Sequence, residues 1–120
     1  MPYKRGDVLL ALYPYTDLIR FKKRPVIVVQ DEAVTTEFDQ QVVAQITSKD
    51  LQAGPTRVEV DKNTDDWRQM GLVSDSLIVT DKLATVDAVA VAKAIGTCPC
   101  MDKVDTALSL TLKLSVRDAE

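Results

Sequence analysis

The sequence predicts a mainly β domain with some α structure: a small, strongly curved antiparallel barrel followed by one C-terminal helix. Five or six short runs are rich in β-branched, leucine and aromatic residues, and turn-forming residues separate them. The last part of the chain has the length and composition of a helix. All 120 residues are expected to form one domain, 1–120.

The first half of the chain supplies four predicted strands. "VLLALYPY" follows Gly6 and Asp7 and ends at Pro14, and "PVIVV" is expected to begin at Pro25, since proline is tolerated at the first position of a strand. Residues 40–48 form the third candidate, and "RVEV" alternates charged and apolar residues as a half-solvated strand does. Residues 61–69 are polar apart from Trp67, which predicts a long surface loop with the indole as a loop or interface anchor.

In the second half, "SLIVT" and "KLATV" resume the strand pattern on either side of Asp81 and Lys82. The run "AVAVAKAI" fits strand or turn. Residues 104–116 carry both the strand period and the helical period. Asp102 as a candidate N-cap, together with the leucine and alanine content, favours a helix.

Composition excludes several classes of function. A net charge of −3 argues against nucleic-acid binding through bulk charge, although it leaves room for a local basic patch. No apolar run approaches the roughly 20 residues of a membrane span, and no signal peptide is recognisable, so a cytoplasmic protein without membrane contact is expected.

The chain has no histidine and two cysteines, Cys98 and Cys100. The missing histidine removes the commonest general base and the usual zinc chemistry. One intervening residue is too short for a relaxed disulfide, so "CPC" is interpreted as a small apolar turn. No metal or cofactor is expected.

Four segments in order resemble the MazF/PemK family, the RNA-cleaving toxins of bacterial toxin–antitoxin pairs. They are "GDVLLALYPYTD", "KKRPVIVV", "VVAQITS" and "GLVSDSLIVTDKLATVD", which together span most of residues 6–87. The resemblance implies an SH3-like antiparallel β-barrel of about five to seven strands with a C-terminal α-helix. It also implies a homodimer, a cognate antitoxin and metal-independent cleavage of single-stranded RNA through the 2′-hydroxyl.

The resemblance further implies that Arg24, before the proline, and Thr47, after the third aliphatic run, are the catalytic pair. Two departures from the family pattern are visible. The first loop carries no histidine, and Val79 stands where some relatives place an arginine, which weakens the transfer of a role to Asp81.

The residue types agree with RNA chemistry. A guanidinium matches two phosphate oxygens and stays charged, which suits Arg24 to a growing phosphorane charge, and the Thr47 hydroxyl can donate a weaker neutral hydrogen bond. Asp17 and Asp81 are candidates for receiving the 2′-proton. Basic residues at 20 and 22–24 concentrate positive potential in one predicted loop, and aromatic residues including Tyr13 are available to stack on bases. The predicted substrate-binding residues are Tyr15, Asp17, Arg20, Phe21, Lys22, Lys23, Ser48 and Asp81.

Other interpretations remain open at this stage. A basic cluster beside a strand is often a solvated loop that protects a sheet edge, and a strand-end threonine often satisfies backbone groups. A toxin of the same barrel type that poisons DNA gyrase through its C-terminal helix, with residues 116–120 essential, is one rival. A barrel that binds RNA or protein without cutting is the other.

Overall fold

The computed structural model describes residues 3–14, 21–48 and 51–114, in which the chain folds into six strands and two α-helices. The strands are β1 (Asp7–Pro14), β2 (Phe21–Val28), β3 (Gln40–Ser48), β4 (Arg57–Val60), β5 (Ser76–Asp87) and β6 (Val91–Thr97). The helices are α1 (Asp65–Met70) and α2 (Met101–Leu112), and a short 3₁₀ turn covers Ala88–Ala90.

The strands form one antiparallel sheet in the order β4-β5-β3-β2-β1-β6. The predicted mainly β fold, a barrel-like sheet followed by a C-terminal helix, is confirmed. The long strand β5 joins the two runs predicted on either side of Asp81 and Lys82. A register shift opposite Ala44 and Gln45 lets β5 bend while it stays paired with β3. This irregularity explains why the sequence pattern predicts two separate strands.

The sheet buries apolar side chains on both faces because neighbouring residues of a strand point to opposite sides. Ile27 and Ile46 belong to the first core cluster, which α2 covers with Val104 and Ala107. The second cluster lies on the other face and contains Leu9, Ala11, Tyr13, Val26, Val28, Val43 and Val86. Strands β2 and β3 therefore hold the two clusters apart.

The prediction of a surface loop over residues 61–69 was wrong, because α1 begins within it. The Thr64 hydroxyl accepts a hydrogen bond from the backbone N–H of Trp67, at 3.3 Å, and so caps the helix. Gly71 ends the helix in the left-handed conformation with φ of 71°. The indole of Trp67 is half-buried and packs against the first cluster.

The predicted C-terminal helix is confirmed as α2, with two differences. Its N-cap position is Cys100, and Asp102 lies in the first turn, so the N-cap prediction for Asp102 was wrong. The helix ends at Leu112, and Lys113 adopts the left-handed conformation with φ of 54°. Residues 116–120, which the gyrase-poison alternative requires, lie outside the described residues.

Strand β2 begins at Phe21 rather than at Pro25, so the predicted start was wrong and residues 21–23 belong to a strand instead of a loop. Pro25 sits mid-strand opposite Leu10 of β1. Proline has no N–H, but no hydrogen bond to β3 is lost at this position, because the pairing of β2 with β3 ends at Val26 and Gln45.

The ambiguous run at residues 88–95 divides into the 3₁₀ turn and the start of β6. Within the described ranges, every helix is too short or too polar to cross a membrane.

Candidate functional site

A cleft of about 430 Å³ opens where strands β2 and β3 stop pairing. Its floor is a row of side chains across neighbouring strands. Leu10 of β1 pairs with Pro25 on one side and with Lys93 of β6 on the other, and all three line the cleft. Directly paired residues point to the same face of a sheet, so this row runs across β6, β1 and β2 and meets Ile46 of β3.

One wall of the cleft is the segment 71–76 between α1 and β5. The indole N–H of Trp67 donates to the carbonyl oxygen of Ser74 at 3.0 Å, and the Ser76 hydroxyl donates to the same oxygen at 2.8 Å. Two interactions therefore fix the middle of the wall. The side chain of Val73 is 86% exposed beside this anchored carbonyl.

The two residues predicted to be catalytic lie just beyond the paired parts of neighbouring strands. The pairing of β2 with β3 runs from Val28–Val43 to Val26–Gln45. Arg24 lies two residues beyond Val26 on β2, and Thr47 lies two residues beyond Gln45 on β3. Both residues line the cleft, as does Ser48.

Tyr13 of β1 belongs to the second core cluster. It is 6% exposed, and burial raises the pKa of its phenol, while the positive charge of Arg24 acts in the opposite direction. The phenol is therefore neutral at physiological pH, and the guanidinium lies near enough to influence it. This buried position excludes the stacking role that the sequence suggested for Tyr13, since a base cannot reach a covered ring.

The described charged residues that line the cleft are all positive. Its described lining contains the cations Lys22, Lys23, Arg24 and Lys93 and no aspartate or glutamate, although the chain carries a net charge of −3. The predicted local basic patch is present. It lies on strands β2 and β6 rather than in one loop, and Arg20 falls outside the described residues.

The other predicted site residues fall in different places. Asp81 is not among the described residues that line the cleft, and its carboxylate accepts hydrogen bonds from Arg57 and Thr56. That Arg57 hydrogen bond is the main reason why the pKa of Asp81 is below its ordinary value. Tyr15 and Asp17 lie outside the described residues, and of Phe21 only its place in β2 is described.

Sequence reasoning missed Lys93 and the wall residues Leu72, Val73, Ser74 and Ser76. Only the pairing of β6 with β1 brings Lys93 beside Leu10, and that pairing joins residues more than 80 positions apart in the sequence. A weak signal for the wall existed, because Thr64 and Gly71 are typical helix-capping residues that delimit α1.

The two cysteines lie between β6 and α2, away from the cleft lining. Both are free thiols, and their sulfur atoms are 3.5 Å apart. The hydrogen bond with Cys100 and burial raise the pKa of the Cys98 thiol. Among the described residues, no group of three His, Cys, Asp or Glu side chains is placed to hold a metal ion.

Comparison with protein families gives a match that covers residues 4–112. The matching family is described as the PemK-like, MazF-like toxin of type II toxin–antitoxin systems. The chain belongs to this family. None of the curated proteins compared matches the sequence.

Solved structures of MazF toxins share the fold. An endoribonuclease in complex with its cognate antitoxin from a mycobacterial species aligns with a TM-score of 0.73 at 19% identity, over 97% of this chain and 100% of that one. The Mycobacterium tuberculosis toxin MazF-mt6 aligns with a TM-score of 0.72 at 22% identity, over 92% and 99%. A MazE–MazF structure from Deinococcus radiodurans aligns with a TM-score of 0.68 at 15% identity, over 96% of this chain and 99% of that one. This toxin therefore keeps the MazF fold at low sequence identity.

Proposed function

We propose that this MazF/PemK-family toxin is a sequence-selective, metal-independent endoribonuclease that cleaves single-stranded RNA and so inhibits translation. One observation carries the proposal. Arg24 and Thr47, on the adjacent strands β2 and β3, both line a cleft whose described charged residues are all cations. A polyanion is the ligand that such a cleft favours.

RNA carries its own nucleophile, so the protein has to align the 2′-oxygen with the phosphorus and stabilise the charge that grows on the phosphate oxygens. In this reaction the 2′-oxygen forms a bond to phosphorus while the bond to the 5′-oxygen breaks. The products are a 2′,3′-cyclic phosphate and a 5′-hydroxyl, and no water is consumed.

Arg24 binds the nonbridging phosphate oxygens in this proposal and supplies a proton to the leaving 5′-oxygen. Its strand position supports the first role, because Pro25 restricts the backbone of the residue that precedes it. Pairing with Ala11 of β1 fixes that backbone further. Thr47 donates its hydroxyl to the same phosphate from the neighbouring strand.

Asp17 and Asp81 are the two candidate carboxylates for receiving the 2′-proton. Asp81 is held by Arg57 and Thr56 and is absent from the described cleft lining. We therefore propose Asp17 for this role, in the segment that joins β1 to β2.

The proposal extends to two protein partners. Related toxins have been solved with a cognate antitoxin or with MazE, and we propose that an antitoxin with an acidic segment covers the cationic cleft of this chain. We also propose that the toxin acts as a homodimer in the cytoplasm.

The decisive experiment incubates purified protein with RNA in excess chelator, beside an oligonucleotide of the same sequence that lacks 2′-hydroxyls. We expect cleavage of the first, with cyclic phosphate ends, and no cleavage of the second. Uncut RNA after long incubation would contradict the proposal. Cleavage of the 2′-deoxy oligonucleotide would exclude the 2′-hydroxyl mechanism.

A further inference from the structure

We infer that Lys93 binds a second RNA phosphate, so that the substrate strand crosses the sheet from Arg24 on β2 over Leu10 on β1 to Lys93 on β6. The inference deepens the proposed function, on which it rests for the identity of the ligand. Nothing in the sequence pattern assigns a role to Lys93.

The first step is the position of Lys93 in the floor of the cleft. Lys93 and Pro25 both pair directly with Leu10, from opposite sides. Neighbouring strands lie about 4.8 Å apart, so Lys93 and Pro25 are separated by two strand spacings, or about 10 Å, along one row. Arg24, the residue next to Pro25 in the chain, also lines this cleft, at a different point from Lys93.

The second step is the state of the Lys93 side chain. It is exposed, and no hydrogen bond or ion pair joins its ammonium group to another described residue. The described cleft lining contains no acid, so no carboxylate within it neutralises this charge. A long ammonium side chain in this position is suited to an incoming anion.

The third step is the match to a nucleotide chain. A stacked strand rises about 3.4 Å along its axis per nucleotide, so an axial span of about 10 Å covers about three stacked nucleotides and fewer when the strand is extended. Leu10 lies half-buried between the two cations and offers an apolar surface to the sugar or base that crosses it. This row would therefore bind a chain in which charged phosphates alternate with the apolar faces of bases.

The test measures binding rather than cleavage. The probe is a pool of single-stranded 12-residue oligonucleotides of randomised sequence in which every 2′-oxygen is methylated, so that it cannot be cut. Binding of the wild-type protein, Lys93→Ala and Lys93→Arg is followed by fluorescence anisotropy between 0.05 and 1 M salt. Lys103→Ala is the matched control, because Lys103 is an exposed lysine of α2 outside the described cleft lining.

We expect Lys93→Ala to reduce the slope of log affinity against log salt by about 0.7, which is the value for one phosphate contact on a single strand. If the wild type and Lys93→Ala bind with equal affinity at 1 M salt, that difference in slope corresponds to about eightfold weaker binding of Lys93→Ala at 0.05 M salt. Lys93→Arg keeps the charge and should keep the slope, and Lys103→Ala should match the wild type.

An unchanged slope for Lys93→Ala would overturn the inference, as would an equal loss in Lys103→Ala. Failure of the wild-type protein to bind the pool would also overturn it. Unchanged RNA binding, combined with weaker binding of a polyglutamate peptide by Lys93→Ala, would assign Lys93 to an acidic protein partner instead. The cleavage assay on unmodified RNA decides the proposed function separately, because Lys93 is not placed at the scissile phosphate.

Discussion

The guanidinium of Arg57 and the carboxylate of Asp81 form a two-point ion pair between strands β4 and β5. The distance from Arg57 Nε to Asp81 Oδ1 is 3.2 Å and that from Nη2 to Oδ2 is 3.1 Å. The Thr56 hydroxyl donates to the same carboxylate at 3.1 Å. Asp81 therefore has a structural explanation that requires no substrate.

Asp81→Asn is expected to lower Tm by a few degrees at most and to leave the cleavage rate within about twofold of the wild type. The pair is partly exposed, and such pairs contribute little. Because the pKa of Asp81 is lowered in the folded state, its contribution to stability is present above the unfolded pKa and is lost as the pH falls through the folded pKa. Thermal unfolding at neutral and acidic pH checks this. A variant with wild-type stability but no cleavage would instead make Asp81 a catalytic group.

Arg24→Ala is expected to slow RNA cleavage by about a hundredfold to a thousandfold, the range for losing one preorganised contact to a transition-state charge. Arg24→Lys should restore only part of the rate, because an ammonium lacks the planar fork. Single-turnover rates measure both effects. Unchanged far-ultraviolet circular dichroism and Tm would separate lost chemistry from lost folding, and a rate within tenfold of the wild type would contradict the proposed role.

Thr47→Val removes a neutral donor while keeping the shape of the side chain, so a smaller loss of about tenfold is expected. Thr47 is half-buried at the end of β3, where valine is compatible with the strand. Thr85→Val is the matched control on β5, an exposed strand threonine outside the described cleft lining. Equal rates for the wild type and both variants would remove Thr47 from the mechanism.

The strand pattern and the order of the elements were predictable because both follow from local residue types. Strand β3 covers the predicted residues Gln40–Ser48, and β4 covers the predicted "RVEV". Helix α1 was missed because only two of its six residues, Trp67 and Met70, are apolar, and its signal lies in the caps Thr64 and Gly71 rather than in an apolar period.

The site was only partly predictable, because it depends on contacts between distant parts of the chain. The resemblance to the MazF/PemK family indicated Arg24, before the proline, and Thr47, at a strand end. The contribution of Lys93 required the pairing of β6 with β1, and the position of Asp81 required its pairing with Arg57. Sequence spacing does not encode either contact.

The cleft wall depends on a close approach between α1 and β6, which gives a final prediction at Gly96. A Cβ atom at Gly96 would lie 2.3 Å from the carbonyl oxygen of Gln69 and 2.5 Å from the carbonyl carbon of Met70. Both are backbone atoms, so the helix end has to move.

Gly96→Ala is therefore expected to lower the free energy of unfolding by about 1–3 kcal/mol, the usual range for overpacking. The rate of RNA cleavage should fall as well, because the displaced helix end leads directly into the wall segment at Gly71. Gly54→Ala is the matched control, since its Cβ would meet nothing within 4 Å. Denaturant unfolding of the two variants measures the difference. Equal stability of Gly96→Ala and Gly54→Ala would show that the wall does not depend on this contact, because a surface change of this kind alters stability by only about 0.5 kcal/mol.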